Sequence, residues 1–148
     1  MLKTVTPPAT LFCDLADEIH QAVTLIEQAP NWQEKYRQIM LVGKKLPSLP
    51  TEFQLEQAQV KGCESQAWLY HHQHDKQHYF LASSDARIVK GLIALLLAAT
   101  QGKTSEELGR FNIEQYFTQL GLDGQLSPSR TNGINALNQA IIDLSSAN

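Results

Sequence analysis

The sequence predicts an α+β fold, a small antiparallel sheet of about three strands flanked by helices, in one domain spanning residues 1–148. Three observations carry that expectation. Apolar residues recur at helical spacing on both sides of the middle of the chain. Between those regions, Gln66–His72 and His78–Ala82 are short runs able to form strands across a polar turn. The most apolar stretch, Leu92–Ala99, is far shorter than the roughly 20 residues a membrane span needs, so it suits a helix at the centre of the core.

Composition narrows the function classes. The chain has 43% hydrophobic and 18% charged residues, a net charge of −3 and a pI near 5.9. A surface of that sign does not suit broad binding to nucleic acid or anionic membrane. The first ten residues lack the charged-then-apolar layout of a secretory leader. Two cysteines, Cys13 and Cys63, make no disulfide framework, so a reducing cytoplasm is expected. The same count argues against a resident iron–sulfur cluster, which is usually held by four cysteines.

Residues 1–9, with the diproline Pro7-Pro8, are expected to be a mobile lead-in. Leu11, Phe12, Leu15, Ile19, Ala22, Val23 and Ile26 form one stripe, predicting a helix from Thr10 to Gln28. Cys13 lies just off that stripe and reads as a small half-buried hydrophobe. Pro30 breaks the chain, and Asn31 can cap a second helix over Trp32 to Lys44 with Trp32, Tyr36, Ile39, Met40 and Gly43 inward. The prolines of Leu46–Pro50 force an extended connector, and Thr51–Gln57 reads as a short helical turn. Gln59–Val60 is the expected third strand, and Gln73–Gln77 the hairpin turn between the other two.

Ser83-Ser84-Asp85 reads as the N-terminal cap of a helix running to Gln101 and ending at Gly102. Thr104 and Glu107 have capping-box spacing for a short helix. Another helix covers Asn112–Leu120 and stops at Gly121. Ser127-Pro128 then opens a final helix reaching Leu144, with Ile134, Leu137, Ile141 and Leu144 buried.

The chemistry centres on Cys63, in the run Val60-Lys61-Gly62-Cys63-Glu64-Ser65-Gln66 that leads into a strand. A thiol attacks as thiolate, with an ordinary pKa of about 8.5. Lys61 would favour that form and Glu64 oppose it, so the sequence gives the shift no direction. Gly62 leaves room for a partner to approach the sulfur. A cysteine hydrolase would need a base beside Cys63, and the hairpin histidines 71, 72, 74 and 78 qualify only by number. They match no standard zinc spacing, and no metal site is expected. Arg130, in the first turn of the last helix, stands where a cation does not help the helix dipole, which makes a binding role more attractive.

Several segments together resemble the SufE/CsdE family of sulfur acceptors. They are Lys35–Gln38 with Leu46–Pro50, Val60–Leu69, Ser84–Gly91, Leu120–Leu122 and Leu126–Gly133, in the family's order across residues 31–143. The resemblance implies a fold like the iron–sulfur scaffold (IscU-like) proteins. It also implies an accessory protein rather than an enzyme. A cysteine desulfurase (SufS- or CsdA-like), carrying its own pyridoxal phosphate, would hand persulfide sulfur to Cys63. This chain, with no cofactor of its own, would activate the desulfurase and pass the sulfur to a scaffold for cluster assembly. Glu64, Ser65, Gln66, Asp85, Arg87 and Arg130 are implied as partner-binding or loop-positioning residues. The N-terminal helix length and the 35–50 stretch lean toward the CsdE branch. A reading from another class makes Cys63 part of a self-contained thiol enzyme with a hairpin histidine.

Overall fold

In a computed structural model that describes residues 7–12, 15–62 and 66–146, six helices surround a three-stranded antiparallel sheet. The elements are α1 (Asp17–Gln28), α2 (Trp32–Gly43), β1 (Ala67–His74), β2 (Gln77–Ser84), α3 (Arg87–Thr100), β3 (Lys103–Thr104), α4 (Ser105–Arg110), α5 (Ile113–Gln119) and α6 (Pro128–Ser146). The expected α+β class is observed.

The expected caps at Asn31 and Thr104 form, and Asn112, expected inside its helix, caps it instead. Asn31 Oδ1 accepts the Glu34 amide at 2.9 Å, and Asn112 Oδ1 accepts that of Gln115 at 3.1 Å. Thr104 and Glu107 make the reciprocal capping box. Gly102 and Gly121 take the left-handed conformation, at φ 75° and 76°, at the ends of α3 and α5.

Helix α3 is the centre of the core: Leu92, Ile93, Ala94, Leu95, Leu96 and Leu97 are all buried. It crosses α2 at two glycines. A Cβ on Gly91 would lie 2.2 Å from the Ile39 carbonyl oxygen, and one on Gly43 would lie 2.9 Å from the Gly91 nitrogen. Only bare backbone fits there.

Four expectations are corrected. The Thr10–Gln28 helix is two pieces, a 3₁₀ turn at Ala9–Leu11 and α1 from Asp17. The apolar residues of the first piece serve a different cluster, in which Phe12 joins Leu49, Phe53, Trp68 and Leu81. The third strand is Lys103–Thr104, paired with Gln77 and His78. Gln59 makes only a single bridge to Trp68, because 3₁₀ turns at Thr51–Phe53 and Glu56–Ala58 carry the chain away from the sheet. In α2 the expected inward residues do face the core, Ile39 and Gly43 buried and Trp32, Tyr36 and Met40 packed against it, but in α6 Leu144, expected to be buried, is 38% exposed. The Ser83–Asp85 run does not cap α3: Ser84 Oγ accepts only the Ala86 amide at 3.2 Å, and Asp85 is engaged elsewhere.

Strands β1 and β2 pair from Ala67↔Ser84 to His74↔Gln77 across a two-residue turn. Asp75 and Lys76 both have positive φ, 51° and 68°, the conformation of the mirror-image hairpin turns. Both faces of the sheet are covered. Leu69, Phe80 and Ala82 belong to the main core with α3, and Trp68 and Leu81 to the smaller cluster. The alternation of side chains along each strand produces that division.

Candidate functional site: the base of the Cys63 loop

Cys63, Glu64 and Ser65 lie outside the described residues, as does Cys13; what the structure describes is the frame that carries the loop. On the entering side, Val60 N donates to Ala67 O at 2.9 Å, so the chain is stitched to the head of β1 just before the loop. Gly62 follows with φ 92°, a backbone that L side chains rarely adopt, and a Cβ there would touch Ala136 Cβ of α6 at 3.3 Å. The glycine thus both turns the chain and lets it rest against the helix.

On the leaving side, Gln66 is held at both of its main-chain groups. Its N–H donates to Asp85 Oδ1 at 3.1 Å. Its carbonyl accepts the Asp85 amide at 3.1 Å and the Ser84 hydroxyl at 2.7 Å. The structure therefore joins Gln66 and Asp85, two sequence-predicted residues, in one clamp that extends the β1–β2 ladder by a rung. Asp85 does not take its expected capping role: its carboxylate accepts the Gln66 amide at the strand end instead.

Arg87, the first residue of α3, is exposed and makes no ion pair among the described residues. Arg130 is half-buried in the first turn of α6, also without an ion pair among them. Its amide lies 3.4 Å from Ser127 Oγ. It stands about 9 Å along the helix from Ala136, at 1.5 Å per residue. A groove of about 550 Å³ opens beside the loop base, between Val60 and Lys61 on one wall, Leu69 below, and Ala136, Ala140 and Leu144 of α6 opposite. Sequence reasoning missed this groove, since the apolar stripe of α6 alone does not say that one side stays uncovered.

The hairpin histidines go elsewhere. At about 3.4 Å per residue along β1, His72 is roughly 20 Å and His74 roughly 27 Å beyond Gln66. His78, opposite Gln73, is at the same far end. That separation puts them beyond hydrogen-bond reach of the loop base. His72 packs on Phe12 with ring centroids 5.5 Å apart, and His74 pairs with Asp75 at 3.3 Å at the exposed tip. Among the described residues no group of three or more His, Cys, Asp or Glu could hold a metal ion, and no helix is long and apolar enough to cross a membrane.

With this frame described, the class of protein follows: the chain belongs to the SufE family, whose model, "SufE: Fe-S metabolism associated domain", matches residues 20–144. It is 45% identical over 113 residues to the sulfur acceptor protein CsdE of Escherichia coli (strain K12), covering 75% of this chain and 76% of that one, in keeping with the CsdE branch. An uncharacterized SufE-like protein of Haemophilus influenzae is 39% identical over 121 residues, covering 80% of this chain and 95% of the relative. The solution structure of a hypothetical protein from Thermus thermophilus shares the fold at a TM-score of 0.66 and 18% identity, covering 88% of this chain and 94% of that one.

Proposed function

We propose that this protein is an accessory sulfur acceptor: it takes persulfide sulfur from a cysteine desulfurase onto Cys63 and passes it on for iron–sulfur cluster assembly. The observation that carries the reading is the similarity to a sulfur acceptor protein across three quarters of the chain. The frame supports it. Both flanks of the loop are fixed to the sheet and α6, and Gly62 contributes no side chain at the approach.

The chemistry is thiol exchange. The Cys63 thiolate attacks the outer sulfur of the donor's persulfide, a new S–S bond forms, and the donor's own S–S bond breaks. The donor leaves as thiolate, so one thiolate is consumed and one released, with no net oxidation. Clearing the donor in this way frees it for another turnover, which makes the acceptor an activator. The pyridoxal phosphate that extracts sulfur from cysteine belongs to the donor. In this reading Glu64 and Ser65 meet the partner, Gln66 and Asp85 position the loop, and Arg87 and Arg130 present their cations to the partner surface. The work is set in the cytoplasm.

A self-contained thiol enzyme is disfavoured by the distance between the loop base and the hairpin histidines. The test is to incubate the protein with a cysteine desulfurase and cysteine, then weigh it intact. One extra sulfur atom on wild type and on Cys13→Ser, none on Cys63→Ser, and faster desulfurase turnover are expected. Unchanged mass and unchanged turnover with wild type would sink the proposal.

A further inference from the structure

At the far end of the sheet a chain of hydrogen bonds ties four elements together, β1, β2, α4 and α6. His71 Nε2 lies 2.7 Å from His78 Nδ1, His78 Nε2 lies 2.7 Å from Ser105 Oγ, and Ser105 Oγ donates to Ser145 O at 2.6 Å. The last bond fixes the direction of the others. A carbonyl can only accept, so the single Ser105 proton goes to Ser145 O. Ser105 must then accept from His78 Nε2–H, which leaves His78 Nδ1 as an acceptor for His71 Nε2–H. His78 is therefore neutral in this arrangement, and His71 carries its proton on Nε2. Because His78 gives its proton toward Ser105, it cannot serve as a base for that hydroxyl, and the trio is not a nucleophilic triad.

We infer that His71, His78 and Ser105 form a pH-sensitive clasp holding the last turn of α6 to the sheet, closed at neutral pH and released on acidification. One proton can enter only by placing a charge on a ring pair of which His78 is 1% exposed. A second would set N–H against N–H. Among the described residues, nothing nearby offsets the charge. Beside His71 on β1 is His72, and opposite His78 on β3 is Lys103. On α4, Glu106 pairs with Arg110, and Glu107 is bound to Thr104. On α6, Asp143 accepts from Gln139 at 2.9 Å. The charged residues of α3, Arg87 and Lys90, stand in its first turns, at the opposite end of the sheet.

Burial lowers both imidazoles, His71 further through His78 and His72. The sign follows. A lowered folded value means the opened state takes protons first, so the clasp's contribution is whole above the ordinary histidine value of about 6.5 and is lost as pH falls below it. Helix α6 is also the wall on which Gly62 rests, so the clasp bears on the groove beside the Cys63 loop.

The test uses the whole chain without any partner, so it stands or falls apart from the sulfur-transfer reading. Ring nitrogen shifts at pH 7.5 are expected to show Nε2–H on both His71 and His78. Amides of 141–146 should lose protection from pH 7 toward 5 by up to about 100-fold per pH unit in opening constant, the signature of two protons. His78→Gln, whose amide can keep both bonds, should cut that to at most about 10-fold. A different tautomer, titration of both rings near 6.5, or an unaltered pH dependence in His78→Gln would each overturn the clasp. If His78→Gln does not fold, the wild-type ring shifts and titration decide alone.

Discussion

The α2–α3 crossing and the base of the Cys63 loop are both fixed points, yet they are fixed by opposite means. At the crossing, backbone meets backbone: Gly43 and Gly91 leave no room even for a methyl group. At the loop base, the hold consists of hydrogen bonds at a strand end, from Val60, Ser84 and Asp85. The first kind of contact cannot yield without moving a helix. The second can be broken bond by bond, since a typical net hydrogen bond contributes about 1 kcal/mol. On the function proposed above, the thiol that would meet another protein is carried on bonds that break singly, set on an unyielding frame.

The sharpest way to break the comparison is Gly91→Ala. The added carbon would sit 2.2 Å from the Ile39 carbonyl oxygen, a backbone atom that cannot rotate aside. Overpacking a core costs about 1–3 kcal/mol where side chains can adjust. Here we expect at least about 3 kcal/mol, read as a fall in the urea midpoint or as failure to fold. A loss below about 1 kcal/mol would show that the crossing has slack.

Next in size is Lys35→Met, which probes a fixed point of intermediate kind. The Lys35 ammonium donates to Ile26 O at 2.6 Å and Leu120 O at 3.0 Å, carbonyls at the ends of α1 and α5. Its stem also lies against Gly121, where a Cβ would be 2.9 Å from Lys35 Cε. Methionine keeps much of the stem and loses the donors, so about 2 kcal/mol of destabilisation is expected in urea melts. An unchanged midpoint would mean that water satisfies those carbonyls equally well.

How much of this was legible in the sequence depended on range. Asn31, the Thr104–Glu107 box, Gly102 and Gly121 were readable because each acts within one turn of its own position. The third strand was not, because Lys103–Thr104 is two residues long and has no periodicity of its own. Its place is set by β2 and by Gln101, whose side chain bonds both main-chain groups of Phe80, at 2.7 and 2.9 Å. Leu11 and Phe12 fell on the stripe of α1 by spacing, yet packing sends Phe12 to the other sheet face. Asp85 looked like a cap because sequence shows its helix and hides the strand end across from it. Local chemistry can be read directly; choice among distant partners cannot.

The smallest expected effect bears most directly on the loop. Asp85→Ala removes the acceptor for the Gln66 amide and leaves the other two bonds of the clamp, Asp85 N to Gln66 O and Ser84 Oγ to Gln66 O. The lost bond is exposed, so water can replace it, and global stability should fall by less than about 1 kcal/mol. Hydrogen exchange at the Gln66 amide should nonetheless accelerate selectively, with α3 protection unchanged. In the desulfurase assay the rate of sulfur uptake by Cys63 should shift while Asp85→Asn, whose amide oxygen still accepts, stays near wild type. Equal rates for all three proteins would show that the loop takes its geometry from Gly62 and the Val60 bond alone. A rate change in Asp85→Ala without faster Gln66 exchange would place the carboxylate at the partner surface instead of in the clamp.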